Sequence, residues 1–204
     1  MNKIERWLYK VKMDANLMKI DTKAKEIQKE NSSFFSQDEP TKIADLAREF
    51  GFFVGQATLK GGAEGLIAVN KKMKSVLNTD KNMVIVVGRN IDRSRQRFII
   101  AHELGHYVLR DDQSASVFAR RESAHGRSEE ENQADYFAAC ILMPTKEYLS
   151  SIRELCAANN IDLKDMTDED KYSFANILSK RYDVPQLAAF RRINEVLLSE
   201  EEKK

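Results

Sequence analysis

The chain has 204 residues, a length that supports one compact domain with short appendages. Its 33 Lys and Arg residues nearly balance 32 Asp and Glu residues, so no overall charge favours nucleic acid or a membrane surface as the main partner. The apolar run MVIVV at 83–87 is far shorter than the roughly 20 residues that span a bilayer, and we predict no membrane partner.

The cellular compartment is predicted from the N-terminus and the cysteines. Residues 1–20 carry charges throughout and lack the apolar core of a secretory signal. Cys140 and Cys156 form no paired metal motif and indicate no disulfide scaffold. We therefore expect the protein to act in the reducing cytoplasm.

An amphipathic helix is predicted close to the N-terminus, with lysines on its polar face. Apolar residues recur at steps of three and four along one stripe, formed by Ile4, Leu8, Val11, Ala15 and Met18. We expect this stripe to pack on the core or on a partner, and a helix lying on a membrane surface is the alternative. The segment ENSSFFSQ at 30–37 interrupts the pattern and predicts a loop.

A second helix and a small sheet are predicted next. The helix begins near Pro40 and stops at Gly51, and its buried stripe is formed by Ile43, Leu46, Ala47 and Phe50. The strand-like segments that follow are FFVGQAT at 52–58, GLIAV at 65–69 and MVIVV at 83–87. Because these strands are short and closely connected, we predict a small, mostly antiparallel sheet.

The rest of the chain has mainly helical periodicity. A helix is predicted over 92–110, with Asp92 or Ser94 as its N-cap, and the polar stretch 111–128 predicts a long loop. A strongly patterned helix then runs to Pro144, which ends it. The remaining helices are separated by the segments NNIDLKDMTDED and YDVPQ.

The segment RFIIAHELGHYVLR at 97–110 contains the pattern of a metal site. Residues four apart on a helix lie about 40° apart around its axis, so His102 and His106 project from nearly the same face and can bind one ion. Glu103 lies at the edge of that face, where its carboxylate can reach a water on the metal. Two imidazoles and an oxygen predict zinc. The alternative is an ordinary helix with two partly buried histidines; Gly105 disfavours it, because a glycine inside a helix usually marks the close approach of another element.

A catalytic zinc site also needs a third protein ligand. The acidic candidates in and after the predicted loop are Asp111, Asp112, Glu122, Glu129, Glu130 and Glu131. Glu131 faces the edge of the apolar stripe of its helix, and Asp135 one turn later can accept a histidine N–H. Ser128 followed by Glu131 is equally typical of a capping box, in which Glu131 would only satisfy backbone donors. Spacing alone leaves these two roles open, whereas Cys140 lies half a revolution away and is excluded from the site.

These features in order resemble the ImmA/IrrE family of cytoplasmic zinc metallopeptidases. The resemblance rests on RQRFIIAHELGHYVL followed by ENQADYFAACILMP, extends upstream through IADLAREFGFFV and covers about residues 40–145. The zinc ligands that it implies are His102, His106 and Glu131. Glu103 would be the catalytic base, and Asp135 stands where the family often has Asn.

The predicted fold class is α+β, with a small, mostly antiparallel sheet packed against the zincin-type HExxH helix and a second ligand-bearing helix. We place an N-terminal amphipathic helical segment at 1–37, a zincin-like metallopeptidase core at 38–150 and a C-terminal helical segment at 151–204. The last contains a helix-turn-helix-like pair, NILSKRYDVPQLAAFRRINEVLL, similar to the family's usual end. We favour packing of this pair on the protease or its substrate over DNA binding, because the acidic cluster at 200–202 would repel phosphates.

The resemblance also implies a function. Members similar to ImmA cleave a helix-turn-helix repressor and release genes of a phage or mobile element, and those similar to IrrE act in a stress response. We therefore expect a zinc-dependent endopeptidase whose protein partner is such a repressor. The alternative is a non-hydrolytic antirepressor or a DNA-associated regulator. A substrate strand can add to an exposed edge of the sheet, and we expect this edge near 83–87. Tyr107 and His125 could stabilise the oxyanion, but we favour a structural role for each of them.

Overall fold

The computed structural model describes residues 15–36, 38–59, 63–69, 83–110, 117–119 and 128–201. The α-helices in these ranges are α1 (Ala15–Glu30), α2 (Ile43–Glu49), α3 (Arg93–Val108), α4 (Glu129–Leu142), α5 (Thr145–Asn159), α6 (Asp168–Tyr182) and α7 (Gln186–Glu201). The strands are β1 (Phe52–Ala57), β2 (Gly65–Val69), β3 (Met83–Gly88) and β4 (Val117–Ala119). The predicted α+β class is confirmed. Among the helices described, none has the length and apolarity to cross a membrane.

The sheet is mixed, with the strand order β1-β3-β2-β4. β3 pairs in parallel with β1 and antiparallel with β2, and β2 pairs antiparallel with β4. Most pairings are therefore antiparallel, as predicted, but β1 and β2 are not neighbours because β3 lies between them. Residues 84–88 of β3 are buried, as is typical of a strand with a neighbour on each side.

Two expectations about the sheet are wrong. The strand at 83–87 cannot offer an edge to a substrate, because both of its edges are already paired. Among the strands that the structure describes, the outer ones are instead β1 and β4. In addition, β4 lies inside the stretch 111–128, which the sequence predicts as a loop. Its three residues carry no periodic signal of their own, and pairing with β2 defines the strand.

α1 packs on the core through a stripe that differs from the predicted one. Its buried apolar residues are Ile20, Ala24 and Ile27. Met18 is 55% exposed, so the predicted stripe is wrong at this position. α1 also extends further along the chain than the sequence indicates, as far as Glu30. The members of the predicted stripe outside the described residues are Ile4, Leu8 and Val11.

Local signals mark the ends of the helices at the predicted places. The Asp92 side chain caps α3 by accepting a hydrogen bond from the backbone N–H of Arg95. Gly51 follows α2 with φ +89°, a conformation that favours glycine. α4 ends at Leu142, just before Pro144, which cannot continue it. These signals therefore determine where α3 begins and where α2 and α4 end.

The C-terminal hairpin, formed by α6, the turn 183–185 and α7, belongs to the core. Buried apolar residues of α7 are Ala189, Phe190, Ile193 and Val196. Arg192 is only 1% exposed and donates hydrogen bonds to the carbonyl of Met143 (3.2 Å) and the hydroxyl of Thr145 (2.8 Å). A DNA-recognition helix must present an exposed face to a groove, so this burial favours a packed pair of helices.

Candidate metal centre

The two histidines of the HELGH motif lie one turn apart on α3 and face α4. Their Nε2 atoms are 3.0 Å apart, and their ring planes cross at 84°. His102 is fully buried, and the His106 side chain is 13% exposed. Large parts of α3 around them, including Ile99 and Leu104, are buried in the core and hold the helix in place. The structure therefore brings two imidazole nitrogens to one point on a rigid helix.

Glu131, in the first turn of α4, completes a group of three. Its Oε2 lies 3.3 Å from Nε2 of His102, and its Oε1 lies 3.2 Å from Nε2 of His106. The hydrogen bond with His102, followed by that with His106, lowers the pKa of this carboxyl well below its usual range. Glu131 is therefore a carboxylate at neutral pH, which is the form that binds a metal.

The two roles that the sequence leaves open for Glu131 are compatible. Its backbone N–H donates to Oγ of Ser128 at 3.2 Å, which satisfies one of the donors at the start of α4. Its carboxylate is directed to the imidazoles. Cap and ligand use different atoms of the same residue, so neither role excludes the other.

Gly105 allows α4 to approach the histidine face closely. A β-carbon at this position would lie 3.0 Å from Cδ1 of Phe137 and 3.3 Å from both Cα and O of Ala134. Contacts this short would require the neighbouring atoms to move. The interior glycine of the motif therefore marks the close approach of another element, as the sequence indicates, and that element is α4.

Asp135 contacts the other ring nitrogen of His102. Its Oδ1 lies 2.8 Å from Nδ1. In the tautomer in which Nδ1–H donates to this carboxylate, Nε2 presents its lone pair towards His106 and Glu131. Carboxylates in this position are common partners of metal-binding histidines and orient their rings. Asp135 can therefore fix both the direction and the tautomer of His102.

The three side chains fit a tetrahedral cation. With bonds of about 2.0 Å, tetrahedral geometry separates the ligand atoms by about 3.3 Å. The separations here are 3.0, 3.2 and 3.3 Å, and the candidate ligand atoms all lie within 4.8 Å of one another. Electron-rich atoms that face one another at such distances repel unless a proton or a metal cation lies between them. The group can therefore hold a metal ion with one coordination position left open.

Glu103 is buried beside this group, at 1% exposure. Gly65 at the start of β2 approaches this part of α3 closely: a β-carbon there would collide with Cγ2 of Ile99 and would lie in ordinary contact, at 3.5 Å, with Oε1 of Glu103. β2 thus covers one side of the carboxylate. Gly65 is a feature of the site that sequence reasoning missed, and a glycine inside a strand pattern is the signal that indicates such a close approach.

Among the described residues, the other candidates do not join the group. Glu129 and Glu130 are exposed in the first turn of α4. Burial raises the pKa of the Cys140 thiol to about 12. Tyr107 packs edge-on against Phe52, with ring centroids 5.0 Å apart. The candidates that lie outside the described residues are Asp111, Asp112, Glu122 and His125.

Two histidines and a glutamate on adjacent helices, beside a buried glutamate and a small mixed sheet, define a candidate metallopeptidase centre. Residues 66–156 match the model of the Peptidase_M78 family, the IrrE N-terminal-like domain. This match confirms the resemblance to the ImmA/IrrE family and indicates a metallopeptidase. The matched segment contains α3 and α4 with all the residues of the group. No curated protein matches the chain.

Proposed function

We propose that the protein is a zinc-dependent endopeptidase that hydrolyses a peptide bond in a cytoplasmic regulatory protein. The observation that carries this proposal is the convergence of His102, His106 and Glu131, whose facing atoms are 3.0 to 3.3 Å apart. A buried Glu103 at the side of the group adds an acid–base residue. The family match supports the metallopeptidase class.

The donor set supports zinc as the metal. Two imidazole nitrogens and a carboxylate oxygen are typical protein ligands of catalytic zinc, and a fourth position stays open for water or substrate. When bound, zinc supplies a Lewis acid that polarises a peptide carbonyl and lowers the pKa of water towards about 7. His102, His106 and Glu131 would hold the ion, and Asp135 would orient His102.

Glu103 is proposed to move the proton. It follows His102 directly in α3, so its carboxylate is anchored on the same helix as two of the ligands. It accepts a proton from the attacking water and returns it to the amine of the departing peptide. Because β2 covers the carboxylate at Gly65, bulk water has limited access to this proton.

The proposed substrate is a helix-turn-helix repressor, whose hydrolysis would derepress phage, mobile-element or stress genes. This part of the proposal comes from the resemblance to ImmA and IrrE. An extended segment of such a substrate can add as a strand to an outer strand of the sheet, and these are β1 and β4.

Incubation with a repressor encoded beside the gene tests the proposal directly. Cleavage should occur and should stop when a chelator removes the metal. Glu103→Gln should still bind zinc but lose about 10²–10⁴-fold in rate. Glu130→Gln is the matched control, because this exposed carboxylate on α4 should not affect cleavage. If Glu103→Gln still relieves repression fully, hydrolysis is not the function and a non-hydrolytic antirepressor remains.

A DNA-associated regulator is the other alternative. The basic side chain of Arg192 on α7 is used inside the core and is not available to phosphates. We therefore expect no shift of operator DNA in an electrophoretic assay at moderate salt. A salt-dependent shift that Arg191→Ala weakens would support DNA binding instead.

A further inference from the structure

Arg97 links α3 to two distant parts of the chain. Its side chain is only 12% exposed. Nε donates to the carbonyl of Asp183 at 3.0 Å, and Nη2 donates to the carbonyl of Thr41 at 2.9 Å. The Asp183 carboxylate lies 3.3 Å from the same Nε. One arginine thus joins α3, the segment before α2 and the turn of the C-terminal hairpin.

Asp183 receives a second arginine from the same helix. Its carboxylate lies 2.9 Å from Nε of Arg93, one turn before Arg97. Asp183 follows α6 in the left-handed conformation, with φ 50° and ψ 57°, which Asp adopts more readily than most residues. Arg93 and Arg97, on successive turns of α3, therefore both bind Asp183 in the loop between α6 and α7.

Burial of an arginine at this place carries an electrostatic cost. Burial lowers the pKa of Arg97, although the charge of Asp183 opposes the change, so the charged form is partly destabilised here. An apolar side chain would avoid that cost but would remove the donor to the carbonyls of Thr41 and Asp183. The guanidinium also fixes the orientation of α3 relative to its acceptors, because this planar group forms hydrogen bonds only at defined angles.

Arg97 and the metal ligands lie on different sides of α3. His102 lies five positions after Arg97, which corresponds to about 140° around the helix axis and about 7.5 Å along it. α4 packs against the histidine side of α3, at Gly105, and not against the side of Arg97. Rotation or sliding of α3 would change the 3.0 to 3.3 Å separations among the ligand atoms, and the bonds of Arg97 oppose both motions.

We infer that Arg97 is a positioning residue of the metal centre, and that the C-terminal hairpin, through Asp183, keeps the histidines of α3 aligned with Glu131. This inference rests on the proposed metal site. It gives a role to Arg97, which precedes the HELGH motif and which the proposed chemistry does not use. Because Arg97 acts through α3, its effect must appear in metal affinity and coordination geometry.

Metal binding by variants of the full chain tests this inference. Arg97→Met keeps the unbranched apolar part of the side chain and removes both hydrogen bonds. Arg97→Lys keeps the positive charge but lacks the planar guanidinium group. Competition with a chromophoric chelator measures the zinc affinity of each variant. The absorption spectrum of the Co²⁺ form reports its coordination geometry, and thermal unfolding without metal measures its stability. We expect Arg97→Met to weaken zinc binding about 10-fold, as for residues that orient metal ligands, and to change the Co²⁺ spectrum. Arg97→Lys should fall between Arg97→Met and the unsubstituted chain.

Arg181→Met is the matched control, because Arg181 is an exposed arginine of the same hairpin that pairs with Glu154 at 2.9 Å. It should leave zinc affinity and the Co²⁺ spectrum unchanged. If Arg97→Met lowers stability but binds metal normally at temperatures where it is folded, the positioning role is overturned.

A second variant covers the case in which Arg97→Met does not fold. Asp183→Asn removes the carboxylate and keeps the backbone carbonyl, so a smaller loss of zinc affinity is expected, and unchanged affinity overturns the inference. If the unsubstituted chain binds no zinc, the proposed function itself is wrong. If it binds zinc and the variants at Arg97 and Asp183 bind zinc equally well, only the positioning role is wrong.

Discussion

A β-carbon on Gly105 would lie 3.3 Å from Cα of Ala134, so α3 and α4 meet almost backbone to backbone next to the metal group. His106 follows Gly105 on α3, and Glu131 lies one turn before Ala134 on α4. The distance between the two helices therefore sets the distance between the ligands that each helix supplies.

Gly105→Ala should weaken zinc binding several-fold with little loss of stability in the metal-free chain. The added methyl group pushes α4 away, while alanine inside a helix gains about 1 kcal/mol over glycine and offsets the strain. Calorimetric titration with zinc and thermal unfolding without metal separate the two effects. Zinc affinity equal to that of the unsubstituted chain would show that this contact does not set the ligand separation.

Asp135→Ala should reduce zinc affinity about 10- to 100-fold, because His102 loses the acceptor that fixes its ring and tautomer. Asp135→Asn keeps an oxygen acceptor and should lose much less. Glu130→Ala, which removes an exposed carboxylate from the same helix, is the control for a change in overall charge. Equal effects of the Ala and Asn variants would mean that the charge of Asp135, and not its hydrogen bond, supports the site.

The part of the metal group that lies on a single helix could be predicted from the sequence. His102 and His106 share one helix, so their common face follows from helical spacing alone. Glu131 could not be assigned in the same way, because its backbone satisfies a cap while its carboxylate faces another helix. Only tertiary packing of α3 on α4 shows that both occur together.

The sheet and α1 show where local patterns are insufficient. The apolar run of β3 predicts a buried strand but not its place between β1 and β2, since strand order depends on pairing between distant segments. The sequence of α1 contains more than one apolar stripe, and packing selects Ile20 and Ala24 while Met18 stays exposed. The contacts of Arg97 with Thr41 and Asp183 are equally non-local, so its role was not predicted.

Asp21 should contribute stability that depends on pH. Burial alone would raise the pKa of its carboxyl, but hydrogen bonds from Lys25 and Thr145 and the charge of Arg192 lower it below the ordinary value of 3.8. A carboxyl with a lowered pKa in the folded state stabilises the protein above its unfolded pKa, and this stabilisation is lost as the pH falls through the folded pKa. Asp21→Asn should therefore cost about 1.5 kcal/mol of unfolding free energy at pH 7, with the difference shrinking below about pH 4.

Urea unfolding of the metal-free chain between pH 3 and pH 7 measures this difference. Glu26→Gln is the control, because Glu26 is 56% exposed and lies 3.7 Å from Lys23. Its effect should be small at every pH. A cost of Asp21→Asn that stays constant from pH 7 to pH 3 would contradict the assignment of a lowered pKa.

Arg192 and Glu195 form a buried ion pair in α7, with Nη1 and Oε2 at 3.2 Å. Burial raises the pKa of Glu195 to about 7, although the charge of Arg192 opposes this. Arg192→Met should lower the free energy of unfolding by about 3–5 kcal/mol at pH 8, because it leaves a buried carboxylate without its cation. Because the charge of Arg192 lowers the pKa of Glu195, that pKa lies above 7 in the variant, so the loss should be largest at alkaline pH and should shrink as the pH falls towards 7 and Glu195 takes up a proton.

The double variant Arg192→Met/Glu195→Met separates the value of the ion pair from the cost of breaking it. Replacing a buried pair by apolar side chains of similar size is often close to neutral, so the double variant should recover roughly half or more of the loss seen with Arg192→Met. Full recovery is not expected, since the hydrogen bonds from Arg192 to Met143 and Thr145 are lost in both variants. Additive losses from the two substitutions in chemical unfolding would show that the two side chains contribute independently and that no ion-pair coupling exists between them.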